Sequence, residues 1–231
     1  MCPQQQYVYL LCAILFSIAV GWSAHHTEMW LTRPTCKSRV LLNRANFRTG
    51  DLILFSSKPS VRTDVEKLLC GSQYTHVAMV FVDHAQVPYL WECVRTGHRV
   101  RRVSAKMLVR DRCYWRRISR PLDSAALEWF ILQNCDQPYS FNMWRGVVRR
   151  WCTSLNLPHS ATSPLYQPRF CSQLVADTYA HFGALDFSTC DNLAPCMVLP
   201  GDFSAAAQTQ LPWQNGYSLS GELELLLPPS E

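Results

Sequence analysis

The sequence predicts an α+β protein in which a small antiparallel sheet or barrel packs on helices, preceded by a transmembrane segment. Short apolar runs separated by turn residues occupy the first half of the chain, as in a sheet of sequential strands. Two later segments place apolar residues at helical spacing. Hydrophobic residues make up 48% of the 231-residue chain, which is enough for one buried domain and an extra segment.

The N-terminal segment is the most apolar part of the chain. Residues 7–24 carry no charge, and as a helix they would reach about 27 Å, the thickness of a bilayer core. Basic residues follow this segment and none precedes it, so the positive-inside tendency predicts a single pass with the rest of the protein in the cytoplasm. Gly21 and Ser23 would also suit signal cleavage, which leaves secretion as the alternative. We expect an anchor at 1–24 and a basic linker at 25–46.

A series of strands is predicted next. The clearest pair is an antiparallel hairpin, because two apolar runs flank a tight connection near residues 83–86. A short helix over Thr63–Leu69, with Gly71 past its end, interrupts the series. The predicted strands cover residues 52–55, 75–83, 88–94, 99–103 and 113–119.

Two longer helices are predicted in the second half of the chain. The first covers residues 124–134, where Leu127, Ile131 and the aromatic residues form one apolar stripe. The second begins at Phe170 and stops at Gly183. A loop rich in Ser, Thr and Pro precedes it over 152–168. The predicted catalytic domain covers 47–204, and a C-terminal tail covers 205–231.

Positive charge is concentrated in one part of the chain. The segment from Arg95 to Arg120 contains ten Lys or Arg residues and only one acidic residue, Asp111, although the net charge of the whole chain is only +5. Such a segment attracts phosphate, so we expect contact with anionic lipid. The alternative is a hairpin whose arginines simply meet solvent. Nucleic-acid binding is the weakest of these readings, because the interleaved aromatic residues are limited to Tyr114 and Trp115.

The eleven cysteines show no metal-binding pattern. They are scattered along the chain without CxxC pairs or Cys/His spacing, so no structural metal and no cofactor are predicted. Scattered single cysteines favour free thiols in a reducing compartment.

Three residues suggest a nucleophilic site. Cys171 lies in the first turn of a predicted helix, where partial positive charge stabilises a thiolate. His76 and Glu92 lie on the two strands of the predicted hairpin, each flanked by apolar residues. If the hairpin is centred on His84, these two residues lie directly opposite each other on one face. Glu92 would then hold the imidazole, and the imidazole would deprotonate the thiol.

The ordered set of motifs resembles a known superfamily. GDLILF, THVAMV, LWECV, CYWRRIS, QPYSF, FCSQLVADTY and LPGDFS occur in this order over residues 47–204. Together they are similar to the circularly permuted NlpC-like, papain-fold thiol hydrolases, including the YiiX-like permuted amidases. This resemblance implies a permuted papain-like fold with Cys171 as nucleophile, His76 as base and Glu92 as orienting acid. Tyr139, in QPYSF, looks like the family's Pro-Tyr element near the cleft.

The resemblance also implies a reaction class. Family members act on amide or ester bonds through an acyl-enzyme, so we expect a cysteine hydrolase or acyltransferase, and a lipid or lipidated substrate would suit the N-terminal anchor. The run Phe170-Cys171-Ser172-Gln173 departs from the Asn-Cys-Glu-His-Phe run of lecithin retinol acyltransferase-like proteins. The alternative is a catalytically inactive scaffold of the same fold that docks on membranes.

Overall fold

The computed structural model describes residues 38–60, 63–64, 66–67, 72–139, 169–190, 193–207 and 209–228. The predicted anchor, most of the predicted linker and the predicted loop at 152–168 lie outside these residues. Within the part of the chain that is described, no helix is long and apolar enough to cross a membrane.

The described residues form a seven-stranded sheet with the spatial order β1-β7-β6-β2-β3-β4-β5. Neighbouring strands are antiparallel except for β1 and β7, which are parallel. The sheet is therefore mixed and larger than the small antiparallel sheet that the sequence predicts. Its strands are β1 (Arg39–Leu41), β2 (Leu52–Ser57), β3 (His76–Val82), β4 (Pro88–Val94), β5 (Gly97–Arg102), β6 (Asp111–Arg116) and β7 (Leu223–Leu226).

In the described part of the chain, three helices with complete bounds accompany the sheet, which makes the fold α+β. They are α1 (Ala105–Arg110), α2 (Ser124–Asn134) and α3 (Cys171–His181). Asp123 caps α2, since its side chain accepts a hydrogen bond of 2.8 Å from the N–H of Ala126. The predicted segment Thr63–Leu69 is helical at its described residues 63, 64, 66 and 67. Short 3-10 turns occupy Leu42–Arg44, Phe187–Thr189, Pro195–Met197 and Pro200–Phe203.

Two hydrophobic clusters lie on opposite faces of the sheet, because successive strand residues point in opposite directions. Odd-numbered residues of β3, such as Val77 and Met79, pack with α2 and α3 in the first cluster. Even-numbered residues, such as Ala78 and Val80, pack in the second cluster with Met107 of α1. This alternation decides which β3 and β4 side chains share a face.

The apolar stripe predicted along α2 is only partly buried. Leu127, Phe130 and Ile131 face the first cluster. Trp129, which the sequence places in the same stripe, is 64% exposed, and Leu132 is 69% exposed. The helix carries apolar residues on more than one side, so spacing alone does not identify the buried side.

The β3–β4 hairpin is centred one residue later than predicted. Met79 pairs with Trp91 and Val82 pairs with Pro88, so the centre is residue 85 rather than His84. The Asp83 side chain closes the turn by accepting the N–H of Val87 at 2.7 Å. Continuing this register places Glu92 opposite Ala78, two residues from the predicted partner. A shift of two residues preserves the face, so His76 and Glu92 are diagonal neighbours rather than a directly opposed pair.

Candidate active site

Helix α3 brings Cys171 to the start of β3. The helix packs on β3 and β4 through buried residues such as Leu174 and Val175. The indole N–H of Trp91, on β4, donates to Thr178 Oγ1 at 3.3 Å and ties the helix to the sheet. The hydroxyl of Ser172 donates to the carbonyl of Val198 at 2.7 Å. These contacts hold the first turn of the helix, and with it the thiol, in a defined position.

His76, the first residue of β3, is held by Glu92 of β4. The distance from His76 Nε2 to Glu92 Oε2 is 3.0 Å. The carboxylate side chain is 1% exposed and the imidazole is 22% exposed, so the acid is enclosed while the base borders solvent. The Phe55 ring packs against the imidazole with centroids 5.2 Å apart. Because Glu92 occupies Nε2, Nδ1 is the ring nitrogen that remains for the Cys171 thiol.

Cys171 and His76 interact by charge and by a hydrogen bond. Burial opposes a charge on either group, but this interaction outweighs burial at both. It lowers the pKa of Cys171, with further help from the backbone N–H groups of Val77 and Ser172. With an added contribution from Glu92, it raises the pKa of His76 to about 10. The arrangement therefore favours a thiolate–imidazolium pair.

Two arginines of β5 complete the surroundings of Glu92. Arg99 Nε lies 2.9 Å and Arg101 Nε lies 2.6 Å from Glu92 Oε1. Burial alone would raise the pKa of Glu92, but His76 and then Arg101 hold it down at about 2. Both arginines belong to the basic segment predicted for lipid contact. The sequence signal that distinguishes these two arginines from the other basic residues is their two-residue spacing on the strand next to Glu92. This spacing places both arginines on the same face of the sheet as Glu92.

Tyr139 lies beside the chain that enters helix α3. Its backbone forms a parallel bridge with Arg169, two residues before Cys171, and its ring packs at the edge of the first cluster. Cys93 reaches the same place from β4, because its thiol donates to the carbonyl of Arg169 at 3.0 Å. Tyr139 is thus near the entry to the helix, and its predicted role at the cleft stays a prediction.

The described cysteines differ in their ionisation. All six described cysteines have free thiols: Cys93, Cys113, Cys135, Cys171, Cys190 and Cys196. Burial raises the pKa of Cys93 and of Cys135, and it raises the pKa of Cys113 to about 12. In contrast to these three thiols, Cys171 has a lowered pKa, because the interaction with His76 outweighs burial.

Several residues of the predicted lipid-binding segment have structural roles instead. Arg116 is buried and donates to the carbonyls of Phe203, Leu219 and Ser220. Arg120 donates to the carbonyl of Asn215. Exposed basic residues without a partner among the described residues are Arg102, Lys106, Arg110 and Arg112. Lipid contact through this segment stays a prediction, now with fewer available charges.

No group of three or more His, Cys, Asp or Glu side chains that could hold a metal ion occurs among the described residues. A scan against protein-family models finds no match, and a search of curated proteins finds none either. Among solved structures, the chain is similar to the crystal structure of the metalloprotein yiiX from Escherichia coli O157:H7. The two share 14% sequence identity with a TM-score of 0.44, over 80% of this chain and 100% of the other.

Proposed function

We propose that this protein is a cysteine hydrolase of the permuted papain-like kind, which cleaves an amide or ester bond through an acyl-thioester on Cys171. The observation that carries the proposal is the set of contacts at the start of β3. A thiol at a helix N-terminus adjoins an imidazole whose other nitrogen lies 3.0 Å from a buried carboxylate. This order of nucleophile, base and orienting acid is the one that nucleophilic acyl transfer requires.

The first half of the reaction uses the ion pair. The Cys171 thiolate attacks the substrate carbonyl carbon, and the carbonyl oxygen becomes an oxyanion. First-turn N–H groups of α3, including that of Cys171, have no partner within the helix and can donate to this oxyanion. The His76 imidazolium then gives its proton to the leaving amine or alcohol as the bond to carbon breaks. The products are the free leaving group and an acyl-thioester.

The second half regenerates the thiolate. Neutral His76 takes a proton from a water molecule, whose oxygen attacks the thioester carbonyl carbon. When the carbon–sulfur bond breaks, the carboxylic acid leaves and Cys171 departs as a thiolate beside the imidazolium. An alcohol or amine in place of this water would make the same site an acyltransferase.

We extend the proposal to the location of the enzyme. Residues 7–24 would anchor it in a membrane by a single pass, with the catalytic domain on the cytoplasmic side, where acyl groups of lipids or lipidated proteins are close at hand. What supports this is the uncharged length of that segment and the basic residues after it.

The test is covalent capture of the acyl-enzyme on the full-length protein. Incubation with acetyl and palmitoyl thioesters, followed by peptide mass spectrometry, should reveal a hydroxylamine-sensitive acyl group on Cys171. Cys171→Ala should lose this adduct, and its turnover should fall by about 10³-fold or more. A preference for palmitoyl over acetyl transfer would support the lipid extension.

The matched control is Cys190→Ala, because Cys190 is a half-buried free thiol outside the site. This variant should label and turn over like the wild type. Undiminished labelling of Cys171→Ala would refute the assignment. A folded wild type that never acylates would support the alternative of an inactive scaffold.

A further inference from the structure

The carboxylate of Glu92 is surrounded by more positive charge than it can neutralise. Its Oε1 accepts from Arg99 Nε and Arg101 Nε, and Arg99 Nη2 lies 2.9 Å from the same oxygen. Its Oε2 faces His76 Nε2 at 3.0 Å and Arg101 Nη2 at 3.4 Å. If Cys171 and His76 form an internally neutral pair, one carboxylate remains against two guanidinium groups, and the site keeps one surplus positive charge.

Both guanidinium groups remain accessible. The Arg99 side chain is 46% exposed and the Arg101 side chain is 31% exposed, whereas Glu92 is 1% exposed. Each guanidinium has five N–H donors, and neither Nη1 group has a partner among the described residues. Among the described residues, β5 is the last strand at this edge of the sheet. The unused donors are therefore available to a ligand.

The two arginines also lie on the side of the sheet where the imidazole lies. Glu92 pairs directly with Arg99 across β4 and β5, and Arg101 follows two residues later on the same face. The Arg101 guanidinium carbon lies 5.8 Å from the centroid of the Phe55 ring, and that ring also packs on His76. An anionic group held by these donors would thus lie close to the imidazole that interacts with the nucleophile.

We propose that Arg99 and Arg101 form an anion-binding subsite, and that the substrate carries a carboxylate or phosphate close to the scissile carbonyl. The inference rests on the proposed function, since it assigns a substrate class to the same site. Guanidinium groups suit this role because their fixed donors match the oxygens of carboxylate and phosphate. A buried carboxylate behind them keeps both side chains in place before the ligand arrives.

The subsite can be tested without knowing the substrate. Iodoacetate and iodoacetamide both alkylate a thiolate with loss of iodide, but only iodoacetate carries a negative charge. The measurement is the second-order rate constant for iodoacetate divided by that for iodoacetamide. Both are determined for Cys171 of the full-length protein at pH 7 by peptide mass spectrometry. Arg99→Gln and Arg101→Gln should each lower this ratio by about 5-fold, since each removes one nearby positive charge.

Two control variants and a change of salt concentration separate the subsite from general surface charge and from misfolding. Arg102→Gln removes an exposed charge from the other face of the same strand, and its ratio should stay within about 2-fold of wild type. Arg99→Lys keeps the charge and should retain most of the ratio. High salt should lower the ratio of the wild type and change the ratio of Arg99→Gln much less.

The outcomes distinguish the two proposals. Rapid alkylation of Cys171 by both reagents, with ratios unchanged in Arg99→Gln and Arg101→Gln, would overturn the subsite and leave the hydrolase proposal standing. An equal fall in Arg102→Gln would overturn it as well. If wild-type Cys171 reacts with neither reagent faster than an ordinary thiol, the proposed function fails and the subsite fails with it.

Discussion

At the scale of single residues, the pairing of Cys171 with His76 decides how reactivity depends on pH. A lowered thiol pKa and an imidazole pKa raised to about 10 define a range in which thiolate and imidazolium coexist. Below this range the thiol is protonated and does not attack. Above it the imidazole is neutral and can no longer protonate a leaving group, so hydrolysis should decline.

The alkylation rate of Cys171 should therefore rise in two steps as pH increases. The first step should lie below the ordinary thiol pKa of about 8.5, because the neighbouring imidazolium favours the thiolate. The second should lie near pH 10, where His76 loses its proton and the thiolate becomes a stronger nucleophile. The measurement is the rate of iodoacetamide modification of the Cys171 peptide between pH 5 and 11.

His76→Gln is the matched variant for this profile. Without an imidazolium, burial should keep the thiol at or above its ordinary pKa, which leaves a single step near pH 8.5 or higher. An identical two-step profile in His76→Gln would show that another group lowers the thiol pKa.

The main site residues could be predicted because each has a distinct local context. A cysteine at a helix start and a histidine in an apolar strand are visible in the sequence, and the parity of residues 76 and 92 predicts a shared face even though the register differs by two. Arg99 and Arg101 were harder to assign. Their contact with Glu92 depends on which of ten clustered basic residues face inward, and charge alone does not decide this.

At the scale of elements, the β4–β5 turn determines where Glu92 and Arg99 meet. Gly97 follows this turn with a φ of +110°, a conformation that favours glycine. A Cβ atom at this position would lie 2.6 Å from the backbone oxygen of Gln137. That oxygen also accepts the N–H of His98 at 2.9 Å, which ties the turn to the segment after α2. The turn therefore requires glycine for both backbone conformation and space.

Gly97→Ala should lower the free energy of unfolding by about 1–3 kcal/mol, because the variant must adopt a strained φ and displace backbone. Chemical denaturation with fluorescence detection measures the change. Gly221→Ala is the matched control, since no heavy atom lies within 4 Å of its Cβ position, and it should change stability by less than about 0.5 kcal/mol. Equal stabilities of the two variants would contradict this account of the turn.

Elements with strong local signals were predictable, and elements that depend on distant partners were not. Strand β4 and helix α2 have the bounds that hydrophobic pattern and capping residues indicate. Strands β1 and β7 have three and four residues, too few for a period of two to be recognised. They become strands because they pair with each other, and β7 also pairs with β6.

At the scale of the whole molecule, the sheet extends past both ends of the segment 47–204. Strand β1 lies in the predicted linker, and β7 lies in the predicted tail. Leu225 of β7 is 3% exposed and belongs to the second hydrophobic cluster. Arg116 adds polar contacts, since it donates to the carbonyls of Leu219 and Ser220. The C-terminal residues are thus expected to contribute to global stability.

Leu225→Ala should lower the free energy of unfolding by about 2–4 kcal/mol, because it leaves a cavity beneath the sheet. Leu227→Ala, two residues later and 43% exposed, should cost much less. Thermal and chemical denaturation of the two variants would measure the difference. If both cost equally little, residues 205–231 would be a dispensable tail.

Two adjacent residues of strand β4 contact the base and the segment that leads into the nucleophile. On one face the Glu92 carboxylate lies 3.0 Å from the imidazole of His76. On the other face the Cys93 thiol donates to the carbonyl of Arg169, two residues before the nucleophile. The relative placement of acid, base and nucleophile therefore depends in part on one dipeptide of β4, so substitutions elsewhere around the site can change its lining and leave these two contacts in place.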